Sequence, residues 1–361
     1  MARTETTGST TDFDLDGAPA APLLEIDDLR VHFKTDHGVV KAVDGVSWHV
    51  DEGETLAIVG ESGSGKSVSA MSILGLVPTP PATFPSGDIR LRGRSILKMP
   101  EKQQRKLRGK EIAMIFQDPL TALNPVFKVG DQIAEMIRTH QDVTKTVARR
   151  RVLDLLGEVG IPNPGVRINQ YPHEFSGGMR QRAMIAMALA NDPKVLLADE
   201  PTTALDVTIQ AQIMLLLEKL RQERNTAIVL ITHDLGLVAS HADRINVMYA
   251  GRIVEAGSCD DVFYRPQHAY TFGLLSSLAR MDKKRQSRLL PIKGVPPSLS
   301  KVPPGCPFHP RCHFATEGCV EVVPTLETVV RSEAMNGDGL HRAACIHSDQ
   351  VEIAFSERLA P

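Results

Sequence analysis

No stretch of this 361-residue sequence stays apolar for long. Apolar runs such as residues 183–190 and 195–198 fall far short of the roughly 20 residues that a membrane-spanning helix needs. The N-terminus carries no apolar segment of the signal-peptide kind. Charge of one sign is missing too. The 41 Lys and Arg nearly balance the 43 Asp and Glu, for a formal charge of −2 and no basic footprint for nucleic acid. Cysteine is scarce: five residues, which in a reducing compartment are not expected to form disulfides. Internal repeats are absent. These absences argue against a membrane-embedded, exported or nucleic-acid-binding chain. The expectation is a cytosolic protein whose membrane role, if any, comes through a partner.

What remains is an ordinary globular balance, 42% hydrophobic and 23% charged, long enough for two or three modest domains. Residues 1–20, rich in Thr, Asp, Gly and Ala without periodicity, read as a disordered leader. From Leu24 the pattern alternates like strands, with a turn signal at Asp36-His37-Gly38 and renewed alternation over 39–50. Leu56-Ala57-Ile58-Val59 is a short, wholly apolar strand of the buried parallel kind. Residues 195–198 and 227–231 repeat that signal, and 244–248 reads as a fourth buried strand. A Pro-rich break at 78–85 precedes a polar hairpin around 87–94, and residues 127–172 read as helical throughout. Strands alternating with helices predict an α/β fold with a covered parallel sheet. After about residue 280 Pro, Gly and Cys rise and helical periodicity fades, which predicts a domain boundary near 280–290.

Gly60-Glu61-Ser62-Gly63-Ser64-Gly65-Lys66-Ser67 fits G-x-x-x-x-G-K-[ST]. It follows an apolar strand and opens a helix, the context in which backbone N–H groups and a helix N-terminus wrap phosphates. Lys66 is expected to reach the β- and γ-phosphates and Ser67 to ligate Mg²⁺. The bland reading is a Gly-rich turn that binds nothing. The strand 195–198 ends in Asp199-Glu200. There Asp199 can hold the water shell of Mg²⁺, and Glu200 can orient or deprotonate an attacking water. Strands often end in acids, so this pair gains weight from the loop.

Phe175-Ser176-Gly177-Gly178-Met179 resembles the signature segment of ABC ATPases. Alone it would read as an N-capped helix after a flexible turn. Four companions extend the resemblance in the family's chain order over about 23–280. Gln117 resembles the Q-loop glutamine, Thr203-Ala204-Leu205-Asp206 the D-loop, and His233 the switch histidine, while the Asp199-Glu200 pair falls between signature and D-loop. The resemblance implies a P-loop ABC nucleotide-binding fold. Its parts are a RecA-like parallel sheet core, an antiparallel β subdomain and a helical signature subdomain near 118–180, together spanning 21–283. It implies that Ser176, Gly177, Gly178, Met179 and Asp206 face nucleotide on a second ATPase. Met179 departs from the usual Gln, which removes one polar contact near the ribose. Phe33 is the best candidate for stacking on adenine, with 36–40 as the alternative location.

His268-Ala269-Tyr270-Thr271, Gly294-Val295-Pro296-Pro297-Ser298-Leu299 and Gly305-Cys306-Pro307-Phe308-His309-Pro310-Arg311-Cys312 resemble the C-terminal part of dipeptide and oligopeptide importer ATPases, here 284–361. That resemblance implies ATP and Mg²⁺ as ligands. It also implies a heterodimer with a second ATPase, two transmembrane permeases, an extracytoplasmic peptide-binding protein, and a peripheral place on the cytoplasmic face of the plasma membrane. Nickel, glutathione or another peptide-like cargo is the alternative. The four late cysteines, Cys306, Cys312, Cys319 and Cys345, suit a [4Fe–4S] cluster, with zinc or ordinary thiols as alternatives. The spacings lack the C-x₂-C of zinc ribbons. DNA-repair ABC ATPases are the main rival class, but the interval between loop and signature, about 110 residues, shows no sustained heptads. Translation-type factors carry two cassettes, and this chain has one.

Overall fold

The computed structural model describes residues 21–36, 38–203, 205–277, 292–331 and 340–359. The expected leader 1–20, His37 of the expected turn, Ala204 of the D-loop segment and the expected division at 283/284 lie outside the described residues. The described strands are β1 Leu24–Thr35, β2 Gly38–Val50, β3 Thr55–Val59, β4 Ala82–Thr83, β5 Asp88–Leu91, β6 Arg94–Ser95, β7 Ile112–Ile115, β8 Val195–Asp199, β9 Ala227–Thr232, β10 Arg244–Tyr249, β11 Arg252–Ser258, β12 Glu327–Arg331 and β13 Leu340–Ala343. Two sheets result. One is antiparallel, in the order β2-β1-β5-β6 with β4 on β1; the other runs β12-β13-β11-β10-β3-β9-β8-β7.

The apolar strands fall where their composition demands. β10, β3, β9, β8 and β7 pair in parallel, and every residue of all five is buried. Both faces of such strands are covered, so β3, β7, β8 and β9 are apolar along nearly their whole length, while β10 also buries Arg244, which pairs with Glu54, and Asn246. β3 shows the consequence. Leu56 and Ile58 point into the core shared with the antiparallel sheet, while Ala57 and Val59 point into the core shared with the C-terminal segments. Each fully buried aliphatic side chain there contributes roughly 1.5–3 kcal/mol. β7 was not visible in the sequence, being four residues long and directly after a Lys- and Arg-rich helix, Glu101–Leu107.

Residues 127–172 are not continuously helical. They form helices Val129–His140, Lys145–Glu158 and Pro164–Arg167. Thr144 caps the second by accepting from Val147 N, and Asn163, with φ of 52°, sets up the third. Pro162 and Pro164 lack the N–H that a continuous helix would use. The first two of these helices and Gly177–Ala188 share one core with one face of β8 and β9. The C-terminal part is also more regular than its composition suggested. β13 pairs with β11, so the chain after 340 extends the main sheet, and a helix Ser348–Leu359 follows. Pairing covers backbone groups of β11 that an open edge would leave without partners.

Candidate functional site

The 60–67 loop leaves β3 and enters the helix Lys66–Ile73. Its sharp course needs glycine at two points. A Cβ on Gly60 would sit 2.2 Å from the carbonyl oxygen of Met248, and one on Gly65 would sit 2.1 Å from that of Ala42. Both residues also hold positive φ, 155° and 106°. Gly63 has φ of 79° but open space around its Cβ position. Ser62 stands exposed at the rim, while Ser64 is buried with an Oγ that has no partner.

Lys66 is only 5% exposed. Its Nζ donates to the carbonyls of Gly60 at 2.7 Å and Glu61 at 3.0 Å, so the ammonium folds back over its own loop. Burial pushes its pKa down, against the pull of Glu200, Asp199 and Glu61. Ser67 Oγ donates to Asp199 Oδ1 at 3.1 Å, placing two oxygens side by side at the helix start. Burial drives the Asp199 carboxyl up, opposed by Ser67 and Lys66.

Glu200 gathers the rest. It sits just past β8 with φ of 46°, its N–H donating to the Ile231 carbonyl at 2.8 Å, so strand β9 fixes its backbone. One carboxylate oxygen accepts from Gln117 Nε2 at 2.7 Å and Thr203 Oγ1 at 2.9 Å; the other lies 3.1 Å from His233 Nδ1. Burial alone would raise its pKa. The hydrogen bonds from His233 and Thr203 and the charge of Lys66 outweigh it, and the carboxyl lies below its ordinary value. His233 is 62% exposed, able to turn toward a bound group. Gln117 follows β7 and His233 follows β9, so both reach Glu200 from the same end of the sheet. That end, beyond the C-termini of parallel strands, is where open α/β sheets take their ligands.

The signature residues lie apart from this cluster. Ser176 caps Gly177–Ala188, its Oγ accepting from Met179 N at 3.4 Å, and Gly177 faces open space. A Cβ on Gly178 would come within 3.3 Å of Ile209. Met179 is half-buried against the helical core. Among the described residues, no hydrogen bond or ion pair joins Ser176, Gly177, Gly178 or Met179 to the 60–67 loop. Asp206 caps the helix Val207–Arg224 through Ile209 N at 2.9 Å. Phe33 is half-buried in β1 against the antiparallel-sheet core.

Cys306, Cys312, Cys319 and Cys345 line one cavity of about 10 Å³, as their clustering in the sequence suggested, but the expected metal centre is not supported. That volume holds about one water. All four are free thiols, and among the described residues no group of three or more His, Cys, Asp or Glu could hold a metal ion. Burial pushes Cys306 up to about 11 and Cys312 up to about 12, with the neighbouring thiols adding to the effect.

Two features went unforeseen. A cleft of about 1070 Å³ lies beside Gln117, between β7 and the helices of 119–140 and 184–188, with Met114, Phe116, Phe127, Met136 and Met187 on its walls. Its signal in the sequence was the cluster of apolar residues around the Q-loop segment. The other is a set of contacts to Glu61 from Tyr270 and Arg311. No helix among the described residues is long and apolar enough to cross a membrane.

The chain matches the ABC transporter family over residues 43–203 and the C-terminal region of oligopeptide/dipeptide transporters over 254–319. It is 53% identical to an oligopeptide transport ATP-binding protein of Bacillus subtilis, over 84% of this chain and 85% of that one. A dipeptide transport ATP-binding protein of the same organism is 49% identical over 91% of this chain and 95% of that one. An oligopeptide transport ATP-binding protein of Escherichia coli is 50% identical over 85% and 90%. Among solved structures, the ATP-binding cassette MJ0796, a dimer bound to ADP and phosphate, superposes with a TM-score of 0.60 at 27% identity, over 65% of this chain and 98% of that one.

Proposed function

The chain belongs to the ABC transporter family, among the oligopeptide and dipeptide transport ATP-binding proteins, and from there we propose that it hydrolyses ATP to power uptake of di- or oligopeptides across the plasma membrane. The observation that carries the reading is the convergence of Gln117, Thr203 and His233 on Glu200, beside Lys66 and the Ser67–Asp199 pair. We take 21–283 as the ATPase unit and 284–361 as the C-terminal unit.

In this reading backbone N–H groups of 60–67 and Lys66 hold the β- and γ-phosphates, with the helix N-terminus adding favourable potential. Phosphate adds to the counter-charge that Glu200, Asp199 and Glu61 already offer the buried Lys66. The Ser67 and Asp199 oxygens fit Mg²⁺, which when bound neutralises phosphate charge. Glu200, a carboxylate held ionised, orients or deprotonates the attacking water, and His233 turns from Glu200 toward the γ-phosphate. Phe33 stacks on adenine.

Ser176, Gly177, Gly178, Met179 and Asp206 act on the nucleotide of a second ATPase subunit. Ser176 and the open backbone at Gly177 present a helix N-terminus to an anion, and a Cβ at Gly177 would meet nothing among the described residues within 4 Å. The cleft beside Gln117 seats a cytoplasmic segment of a permease. Its apolar walls and exposed Leu120, Val126 and Phe127 suit an amphipathic helix, the helix-in-groove mode. Two permeases and an extracytoplasmic binding protein complete the machine, placing this chain on the cytoplasmic face. No step draws on the cysteine-lined cavity.

The test is phosphate release from MgATP by the purified chain with its partner ATPase. Lys66→Ala should bring the rate to that of the partner's site alone. An unchanged rate would remove the 60–67 loop from the reaction.

A further inference from the structure

Glu61 is a carboxylate in a loop read as cradling phosphates. Its own charge would repel the ligand. The structure answers that charge from outside the loop. Arg311 Nη1 donates to Glu61 Oε2 at 2.6 Å and Nη2 donates to Oε1 at 3.0 Å, a fork-on-fork pair spanning 250 residues of sequence. Such bidentate pairs hold geometry as well as charge.

The arginine is itself fixed. It is 5% exposed. Its Nε donates to the Lys293 carbonyl at 3.0 Å, and its guanidinium carbon lies 5.9 Å from the ring centres of both Tyr249 and Phe308. The backbone of Glu61 is fastened as well, its N–H donating to Tyr270 Oη at 2.8 Å. The Glu61 carbonyl in turn accepts from Lys66 Nζ at 3.0 Å. A continuous chain of contacts therefore runs from the C-terminal segment to the loop's lysine: Arg311, Glu61, Lys66.

We infer that Arg311 is a positioning residue of the phosphate loop. By neutralising Glu61 and fixing where it lies, Arg311 sets how tightly the loop holds ATP, so the C-terminal segment bearing the cysteines governs nucleotide affinity. This deepens the reading of 60–67 as the ATP loop and rests on it. A plain structural staple between two parts of the fold makes a different prediction. For a staple, any loss or recovery of affinity follows the stability of the fold. For charge neutralisation, removing Arg311 alone leaves an unpaired carboxylate in the loop read as holding phosphate, and removing that carboxylate too restores affinity.

The experiment titrates the purified full-length chain with a fluorescent ATP analogue in Mg²⁺, with thermal unfolding recorded alongside. The chains compared are the unaltered one, Arg311→Gln, Arg311→Lys, Glu61→Gln, the double Glu61→Gln/Arg311→Gln, and Lys66→Ala. Arg311→Gln should weaken binding at least fivefold, within the roughly 5- to 150-fold range of coupled sites. Arg311→Lys should keep part of the affinity, and the double variant should regain most of what Arg311→Gln loses. Lys66→Ala tests the loop itself: if it leaves affinity unchanged, the ATP-loop reading fails. If Lys66→Ala weakens binding while folded Arg311→Gln binds as the unaltered chain does, this inference alone fails. A double variant no better than Arg311→Gln, or losses that follow the unfolding temperature, would equally overturn it.

Discussion

His233 Nδ1 lies 3.1 Å from Glu200 Oε1, although 33 residues and a change of element separate them. Glu200 stands at the end of β8 and His233 at the end of β9, and the two strands pair in parallel with Asp199 opposite Ile231. Adjacent parallel strands that stop together deliver their following residues to one point. That register brings the proposed general base and an exposed histidine into contact.

The first prediction concerns the base. Glu200→Gln keeps the size of the side chain and a carbonyl that can accept from Gln117, but removes the proton acceptor. Hydrolysis should fall about 10²- to 10⁴-fold, the usual worth of a general base. ATP binding should persist. Rapid-quench phosphate release together with nucleotide retention on the isolated complex checks this, and normal turnover would reject the assignment.

The pH dependence follows from the same cluster. The Glu200 carboxyl is held below its ordinary 4.5. A carboxylate whose folded pKa is depressed contributes stability that is present above the unfolded value and lost as pH falls through the folded one. The Thr203 bond lowers the Glu200 pKa wherever His233 points, so it should hold the acid limb of single-turnover hydrolysis at lower pH. Thr203→Val removes one of the bonds that lower the pKa, so its acid limb should lie at higher pH. Coincident acid limbs would show that Thr203 does not tune the base.

Asp199 runs the other way. Burial raises its pKa, so the charged form is disfavoured in the folded chain, and stability declines as pH rises from the ordinary 3.8 through the raised value. Asp199→Asn keeps an acceptor for Ser67 and drops the buried charge. Without nucleotide it should unfold at a higher temperature at pH 7 than the unaltered chain, while losing Mg²⁺-dependent hydrolysis. Calorimetry without nucleotide and a Mg²⁺ titration of activity read the two effects separately. A lower unfolding temperature would contradict the burial argument.

Two glycines of the loop should respond differently to a methyl group. Gly65→Ala meets the Ala42 carbonyl at 2.1 Å in addition to its positive φ, whereas Gly63→Ala meets nothing within 4 Å. The left-handed conformation costs about 1–2 kcal/mol at either position. Overpacking adds roughly 1–3 kcal/mol at Gly65 only. Chemical denaturation should separate the two variants by that margin, and equal losses would mean that the loop shifts freely.

Much of this architecture was legible in the sequence. Leu56, Val195 and Ala227 each open a run apolar on both faces, and a strand covered on both sides has no other composition available. The loop was legible because its motif carries glycine at 60 and 65, where the close approach of Met248 and Ala42 leaves no room for a Cβ. The Gln117–Glu200 contact was not, since it depends on β7, a four-residue edge strand whose pattern is too short to announce itself. The single helical reading of 127–172 failed at two places: the backbone turns extended at Gln141 and Thr144 caps a new helix, and further on Pro162 and Pro164 break backbone pairing. The Arg311–Glu61 pair joins residues 250 apart, and only tertiary folding chooses such a partner. The four late cysteines do meet, but their shared space of about 10 Å³ is set by surrounding side chains that spacing does not describe.

The central claim is that hydrolysis at the 60–67 loop drives peptide uptake. Its most direct measurement is accumulation of a labelled oligopeptide in proteoliposomes that hold the whole complex, with ATP inside the compartment this chain faces. The complex with the unaltered chain should accumulate peptide in an ATP-dependent way, and the complex with Lys66→Ala, assembled to the same level, should not. Uptake that continues undiminished with Lys66→Ala would contradict the account, because transport would then be powered without this chain's phosphate loop.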